Sequence, residues 1–595
     1  MMCNDFNSEV TTFSNKTDSN THFSNNNTLD SSNNIPILSR YNYDSSTSNS
    51  FDIPIAYQDN DQDSLSDFST ESIDFNNEIS QNEQNFSLQE DLQILVSECC
   101  IPQGTADKLL LILRKHGHND LPQTCRTLMK TPRNISQNIV SVSGGRYIHF
   151  RLASGIKRSI SKYCKTVPCE VKININIDGL PLSKSSGSQF WPILASIEIK
   201  DFYTEPFAVG IFHEMSKPNN VNDFLRPFVN EAQIVLQEGV SLDNNHCKVL
   251  LNAILCDAPA KSLITCTKGH TGYFSCSKCS QEGDFICNRV VFPEINSTLR
   301  TNESFRTRSQ EEHHVGDSIL ENLPIDMILQ IPLDYMHLFG LGTSRLLQFY
   351  VRGRKNVRLP SAAIDSIDKH LIDSRKYIIK EFARMPRNLS YVDSWKATEV
   401  RLFVLYLGLV LLKPFVSQDY YNHFLSLSIA IRILADPEQC LVLNDFAHSL
   451  IIWFISQYRN IFGLEYLSHN VHNLQHLAND VKTLGCLDTF SCFKFKNHMQ
   501  KIKKRIKNCG KPLEEYSNRI FELNQLPPEK CYLKSYPIIH FKKAVQGNDD
   551  ISHLEFNGFT IFTKKNENCC LLNDNSLVFV LEIILDSINN VPYIN

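Results

Sequence analysis

The chain has 595 residues and a formal net charge of −5, enough length to bury more than one core. Residues 1–90 hold 15 acidic and 2 basic residues, which leaves +8 for residues 91–595, a mildly basic remainder that permits a polyanionic partner without requiring one. The most apolar run, residues 402–412 between Arg401 and Lys413, is too short to span a bilayer, so no membrane partner is expected.

The first element in chain order is no element at all. Residues 1–88 are rich in Asn, Ser and Asp and poor in aliphatics, so burial cannot offset the entropy of ordering and a disordered acidic tail is expected. The start, "MMCNDFNSEV", has neither a basic n-region nor an apolar h-region, so no secretory signal is expected. With 19 cysteines at irregular spacings, a reduced intracellular compartment follows, in which paired cysteines serve as metal ligands rather than disulfides.

Residues 89–135 show helical spacing broken at "PQG" and "LPQ", a small helical module. "CEVKININIDG" then alternates Val171, Ile173, Ile175 and Ile177 with polar neighbours, predicting a half-buried strand that ends at Asp178-Gly179. Residues 191–199 and 207–215 predict two further strands, and 221–239 an amphipathic helix. Residues 248–260 open on a continuous apolar run, predicting a strand buried on both faces and ending at Asp257. From 318 to 485 the pattern is helical, and after Pro537 short strand-like pieces return.

Two aspartates at the ends of neighbouring strands could hold divalent metal, because hard cations take carboxylate oxygens. Against this, Asp178-Gly179 is also a hairpin-turn signal and Asp257 before Ala-Pro reads equally as a turn. Cys276 and Cys279 in "CSKC" have zinc-knuckle spacing and need two more ligands. Nearby candidates are Cys266, His270 and Cys287; distant ones are His472 and His476, four apart and so on one helix face. His313 and His314 are a reserve and read as polar loop residues.

Taken in order, "NIDGLPLSKSSGSQFWPIL", "LCDAPAKS", "GHTGYFSCSKC", "PLDYMHLFGLG", "WKATEVRLFVLYLG" and "HNLQHLANDV" give residues 140–520 a resemblance to invertebrate transposase-domain proteins. These are related to the CACTA-type cut-and-paste (DDE) transposases. The resemblance implies an α/β ribonuclease H-like core (165–317) interrupted by an all-helical insertion (318–464) and completed by helices over 465–525. A β-rich region (526–595) follows. It implies that Asp178 and Asp257 are two of three carboxylates binding Mg²⁺ or Mn²⁺ for DNA strand cleavage and transfer. It also implies a structural Zn²⁺ on Cys276, Cys279, His472 and His476. The third carboxylate should be a Glu in a phenylalanine-glutamate-asparagine motif, where this chain has "CFKFKNHM" and therefore Lys496.

At about 4 Å and an effective dielectric of about 20, that cation repels a divalent ion by about 8 kcal/mol. Lys496 could swing outward or pair with Asp178 and Asp257 in the metal's stead. Catalytic loss is the expectation, leaving a DNA-binding or scaffold role. The rival is an active transposase or nuclease recruiting Asp334, Asp488, Glu514 or Glu515. Lys501, Lys503, Lys504, Arg505 and Lys507 form a basic run that either grips DNA or solvates a helix face. DNA is the expected partner, a homodimer is allowed, no small-molecule substrate is expected, and nuclear residence follows on the same grounds.

Overall fold

The computed structural model describes residues 87–594 except 184–186, 200–202, 379–381, 508–509, 528–537, 542–550, 557–558, 565–567, 572–576 and 586–591. The acidic tail expected over 1–88 lies outside the described residues but for its last two. At its border, Ser87 caps helix Leu88–Glu98 through a capping box with Glu90, satisfying amides that a helix start leaves unpaired. That helix, Gln103–Lys115 and Cys125–Leu128 bury Leu92, Val96, Ala106, Leu110 and Cys125 among themselves.

A mixed, curled sheet of eight strands follows: β1 (Ile139–Val142), β2 (Gly145–His149), β3 (Glu170–Ile177), β4 (Leu180–Pro181), β5 (Gln189–Glu198), β6 (Phe207–Glu214), β7 (Val240–Leu242) and β8 (Asn245–Leu255). The order is β1-β2-β6-β5-β3-β8-β7, with β4 against β5. β3, β5 and β6 are antiparallel neighbours, whereas β8 lies parallel to β3. The return to β8 runs through helix Val221–Glu238, because parallel neighbours need a crossover connection. The β1–β2 hairpin and helix Leu152–Tyr163 had no counterpart in the strand pattern read above. Ser143 and Gly144 both take positive φ, 53° and 85°, as a tight two-residue hairpin turn requires.

One face of the sheet packs on helices Leu152–Tyr163 and Val221–Glu238 through Ile173, Ile175 and Ile177. The other meets a large helical region whose core runs from Leu333 to Tyr516 and takes in Leu194, Ile211, Ala253 and Leu255. The strand pattern of β8 departs from the continuous burial expected: Lys248, Leu250 and Asn252 are not buried. Its first half is covered on one face only. At Asn252 the pairing with β3 slips by one residue, from Ile173↔Leu251 to Asn174↔Ala253. Asn252 is the extra residue, and its amide is held by Asn174 Oδ1 (3.0 Å) and Glu198 Oε1 (3.1 Å). A bulge of this kind reverses which side chains face which layer.

After Ile538 the described residues form small antiparallel pairs, with a core of Ile551, Leu554, Val580 and Ile583. The single piece expected at "SLVFVLEII" is two strands, Leu577–Phe579 and Ile583–Leu585. No described helix is long and apolar enough to cross a membrane.

Candidate functional sites

The bulge at Asn252 decides the first site. Beyond it Asn176 pairs with Leu255, so two residues further on Asp178 and Asp257 stand side by side at the carboxyl ends of parallel neighbours. Both follow strand positions that face the helical layer. On that face Asn176 donates to Leu255 O (2.9 Å) and lies 3.6 Å from Cys492 Sγ. Cys492 immediately precedes helix Phe493–Lys504, which buries Phe495, His498, Met499 and Ile502. One turn into the helix, Lys496 Nζ sits 2.6 Å from Asp178 Oδ2. The two form an ion pair at hydrogen-bonding distance. Asp178 is 5 % exposed and the Lys496 side chain 32 %.

Asp257 caps helix Ala258–Ile264, its Oδ1 accepting from Ala260 N–H at 2.7 Å. Burial and the negative charge of Asp178 push its carboxyl up to about 6, against the pull of His337, the Ala260 amide and Lys496. Burial disfavours the Lys496 ammonium, but Asp178 and then Asp257 outweigh it and hold its pKa above the ordinary lysine value.

A second pair borders the first. Asp334 caps helix Tyr335–Arg352, accepting from Met336 N–H (3.2 Å) and His337 N–H (3.3 Å), and also from Cys492 N–H (3.2 Å). Its Oδ2 contacts His337 Nδ1. Both oxygens are therefore occupied. Burial lowers the His337 pKa, but Asp334 outweighs it, and the net position is above the ordinary histidine value. His337 escaped the sequence reading, although its place three residues after a capping Asp was a usable signal.

The acidic pair does not fit a divalent cation. An ammonium meets the oxygen that would ligate it, and among the described residues no third His, Cys, Asp or Glu donor joins Asp178 and Asp257 at metal-binding distance. The other acids are also engaged: Asp488 with Arg401 (2.7 Å), Glu514 with Arg146 (2.5 Å), and Glu515 with the Lys507 backbone N–H (3.1 Å).

Cys276, Cys279, His472 and His476 do converge. All four are buried, and their ligand atoms lie within 4.8 Å of one another, a Cys2His2 cluster that could hold a metal. The Cys276 and Cys279 sulfurs are 3.5 Å apart; Cys279 Sγ lies 3.3 Å from His472 Nε2, and Cys276 Sγ 3.6 Å from His476 Nε2. A tetrahedral ion with bonds of about 2.3 Å to sulfur and about 2.0 Å to nitrogen demands separations of roughly 3.8 Å between sulfurs, roughly 3.5 Å between sulfur and nitrogen and roughly 3.3 Å between nitrogens. Lys278 N–H (3.5 Å) and Cys279 N–H (3.4 Å) point at Cys276 Sγ. Burial opposes ionisation of that thiol, but Cys279 and the two imidazoles prevail and hold its pKa well below the usual value. His472 Nδ1 is fixed at 2.9 Å by the Gln475 amide, the outer support that orients a ligating imidazole.

The alternative ligands stand apart from this cluster. Cys287 is exposed, Cys266 is buried with its sulfur toward Leu263 O, and His313 is bonded to Phe274 O at 2.6 Å. His314 packs on Phe305, and His270 stacks edge-on against His469. Within the basic run, Lys501 is tied to Glu205 at 2.8 Å. Lys503 and Lys504 end the helix, and Arg505 caps it. No protein-family model and no curated protein matches the chain.

Proposed function

We propose that this chain descends from a cut-and-paste DNA transposase whose strand-cleaving centre has become an internal ion pair, leaving a zinc-stapled, DNA-binding or scaffolding protein. The observation that carries the reading is the Lys496–Asp178 contact of 2.6 Å. In a ribonuclease H-like site the third position would be acidic. Support for that fold is the antiparallel β6-β5-β3 ladder with β8 added parallel to β3, and Asp178 and Asp257 at the ends of the parallel pair. The Cys2His2 cluster is read as a structural zinc site, because two thiolates and two imidazoles at these separations close a tetrahedron with no open position. DNA as partner and nuclear residence rest on the basic end of helix Phe493–Lys504.

Supercoiled DNA with Mn²⁺ is the test substrate. The wild type should leave it intact, and Lys496→Glu should introduce nicking. Nicking by the wild type in Mg²⁺ that disappears in Asp178→Ala would overturn the reading and favour the active rival.

A further inference from the structure

The basic run does not end in open solvent. Arg505 and Lys507 line a cleft of about 360 Å³ whose opposite wall is the N-terminal helical module and whose floor is helix Pro512–Gln525. Arg126 faces it from the module and Lys511 from the start of that floor helix. Cations more than 370 positions apart in sequence thus converge on one space. The walls are fixed: Thr131 bonds Glu522, and Arg158 holds the end of the floor helix through Leu523 O (2.8 Å) and Leu526 O (3.1 Å).

Three carboxylates line the cleft against five cations and offset part of their charge, Lys511 acting on Glu514 and Arg126 on Glu522. Glu522 pairs with Arg519 at 2.7 Å, Glu514 with Arg146 at 2.5 Å, and Glu515 accepts the Lys507 backbone N–H. The guanidinium of Arg126, among the described residues, donates to Gln103 Oε1, at 3.5 Å. Among the described residues, none of the Arg126, Arg505, Lys507 and Lys511 side chains pairs with a carboxylate. Like charges gathered round one space repel, and a bound anion relieves them. Lys503 continues the row beyond the cleft along the helix, so an extended polyanion meets more of these charges than a small one does.

We propose that this cleft is a phosphate-gripping groove for a nucleic-acid backbone, formed jointly by the N-terminal helical module and by Arg505, Lys507 and Lys511. The inference rests on the DNA-binding reading of the basic run and gives it a location. Arg126 and Lys511 lie outside the 501–507 run and are exposed, so charge reversal there spares the fold.

The test uses the full chain with zinc saturating and duplex DNA of arbitrary sequence, titrated at two salt concentrations. Arg126→Glu and Lys511→Glu should each weaken binding about tenfold at low salt and reduce the salt slope by about one; Lys503→Glu should do less. If the wild type binds and only Lys503→Glu weakens it, the cleft is overturned while the basic-run reading survives. If the wild type binds no DNA, both fall as nucleic-acid sites. A pyrophosphate-induced rise in Tm, lost in Arg126→Glu, would then reassign the cleft to small anions.

Discussion

Lys278, which lies between Cys276 and Cys279, donates to Asp480 Oδ1 at 2.6 Å with side chains 4 % and 0 % exposed. The pair is completed by Ile328 O, which accepts from Lys278 Nζ at 2.7 Å, and by Leu333 N–H, which donates to Asp480 Oδ2 at 2.9 Å. Loop, connecting segment and helix Leu477–Leu484 are thereby joined beside the Cys2His2 cluster.

Asp480→Ala strands an ammonium in the interior, and the expected loss is about 3–5 kcal/mol of stability. Replacing both partners with apolar residues of similar volume should recover much of it. Denaturant titration at saturating zinc measures both; a loss below about 1 kcal/mol for Asp480→Ala would show the pair to be inconsequential.

For the cluster itself, metal analysis of the purified chain should find one zinc per molecule. The double variant His472→Ala/His476→Ala should lose it and melt earlier, because a closed structural site contributes its binding energy to folding. Zinc retained at full stoichiometry in that variant would point instead to ligands such as His270 or Cys287.

Lys496→Ala leaves Asp178 buried and facing Asp257 without its ammonium partner, with His337 as the remaining nearby base, and should cost roughly 1–3 kcal/mol. Lys496→Glu should acquire a dependence on Mn²⁺, gaining about 2.7 kcal/mol when the ion is at a hundred times its Kd. Unchanged melting in the first variant would mark Lys496 as a surface lysine of no structural weight.

Asp257 supplies a pH prediction whose sign is fixed by its raised pKa. With a folded value of about 6 against an ordinary 3.8, the folded chain keeps a proton that the unfolded chain gives up. Its contribution is full below about 3.8 and is lost as pH rises through about 6. The groups facing it are Asp178, His337, Lys496 and the Ala260 amide. Asp257→Asn keeps the helix cap and removes the titration, so stability curves of the two proteins should diverge between pH 4 and 7 in the variant's favour. Parallel curves would contradict the assignment.

How much of this could be read from residues alone depends on range. Period two in "VKININID" located β3, because alternation is a local signal, but the strand is not half-buried as expected: Asn174 and Asn176 are as buried as Ile175 and Ile177. The shared register of Asp178 and Asp257 was not readable. It hangs on the bulge at Asn252, whose side chain is held by Asn174 and Glu198 on neighbouring strands. Helical spacing found the 318–485 region but not the Asp334–His337 contact, where the histidine looked like one more residue of an apolar helix. The ligand set was readable as spacing for Cys276 and Cys279; joining them to His472 and His476 came through the family resemblance. Lys278 and Asp480 carried no signal, since a buried ion pair across 202 residues has no periodicity.

The same cluster bears on how the chain can change length. Cys279 and His472 are 193 residues apart, and Cys276 and His476 are 200 apart, yet they meet at one point. Nearly all the intervening helices are a loop pinched at its base. The entropy of closing such a loop grows only with the logarithm of its length, about 0.6 kcal/mol for each doubling. Lengthening the exposed connections between these helices should therefore cost little entropy, whereas the helices that cover the sheet through Leu194, Ile211, Ala253 and Leu255 must stay in place. The four converging residues thus hold the two ends of the helical region together whatever the length of its exposed connections.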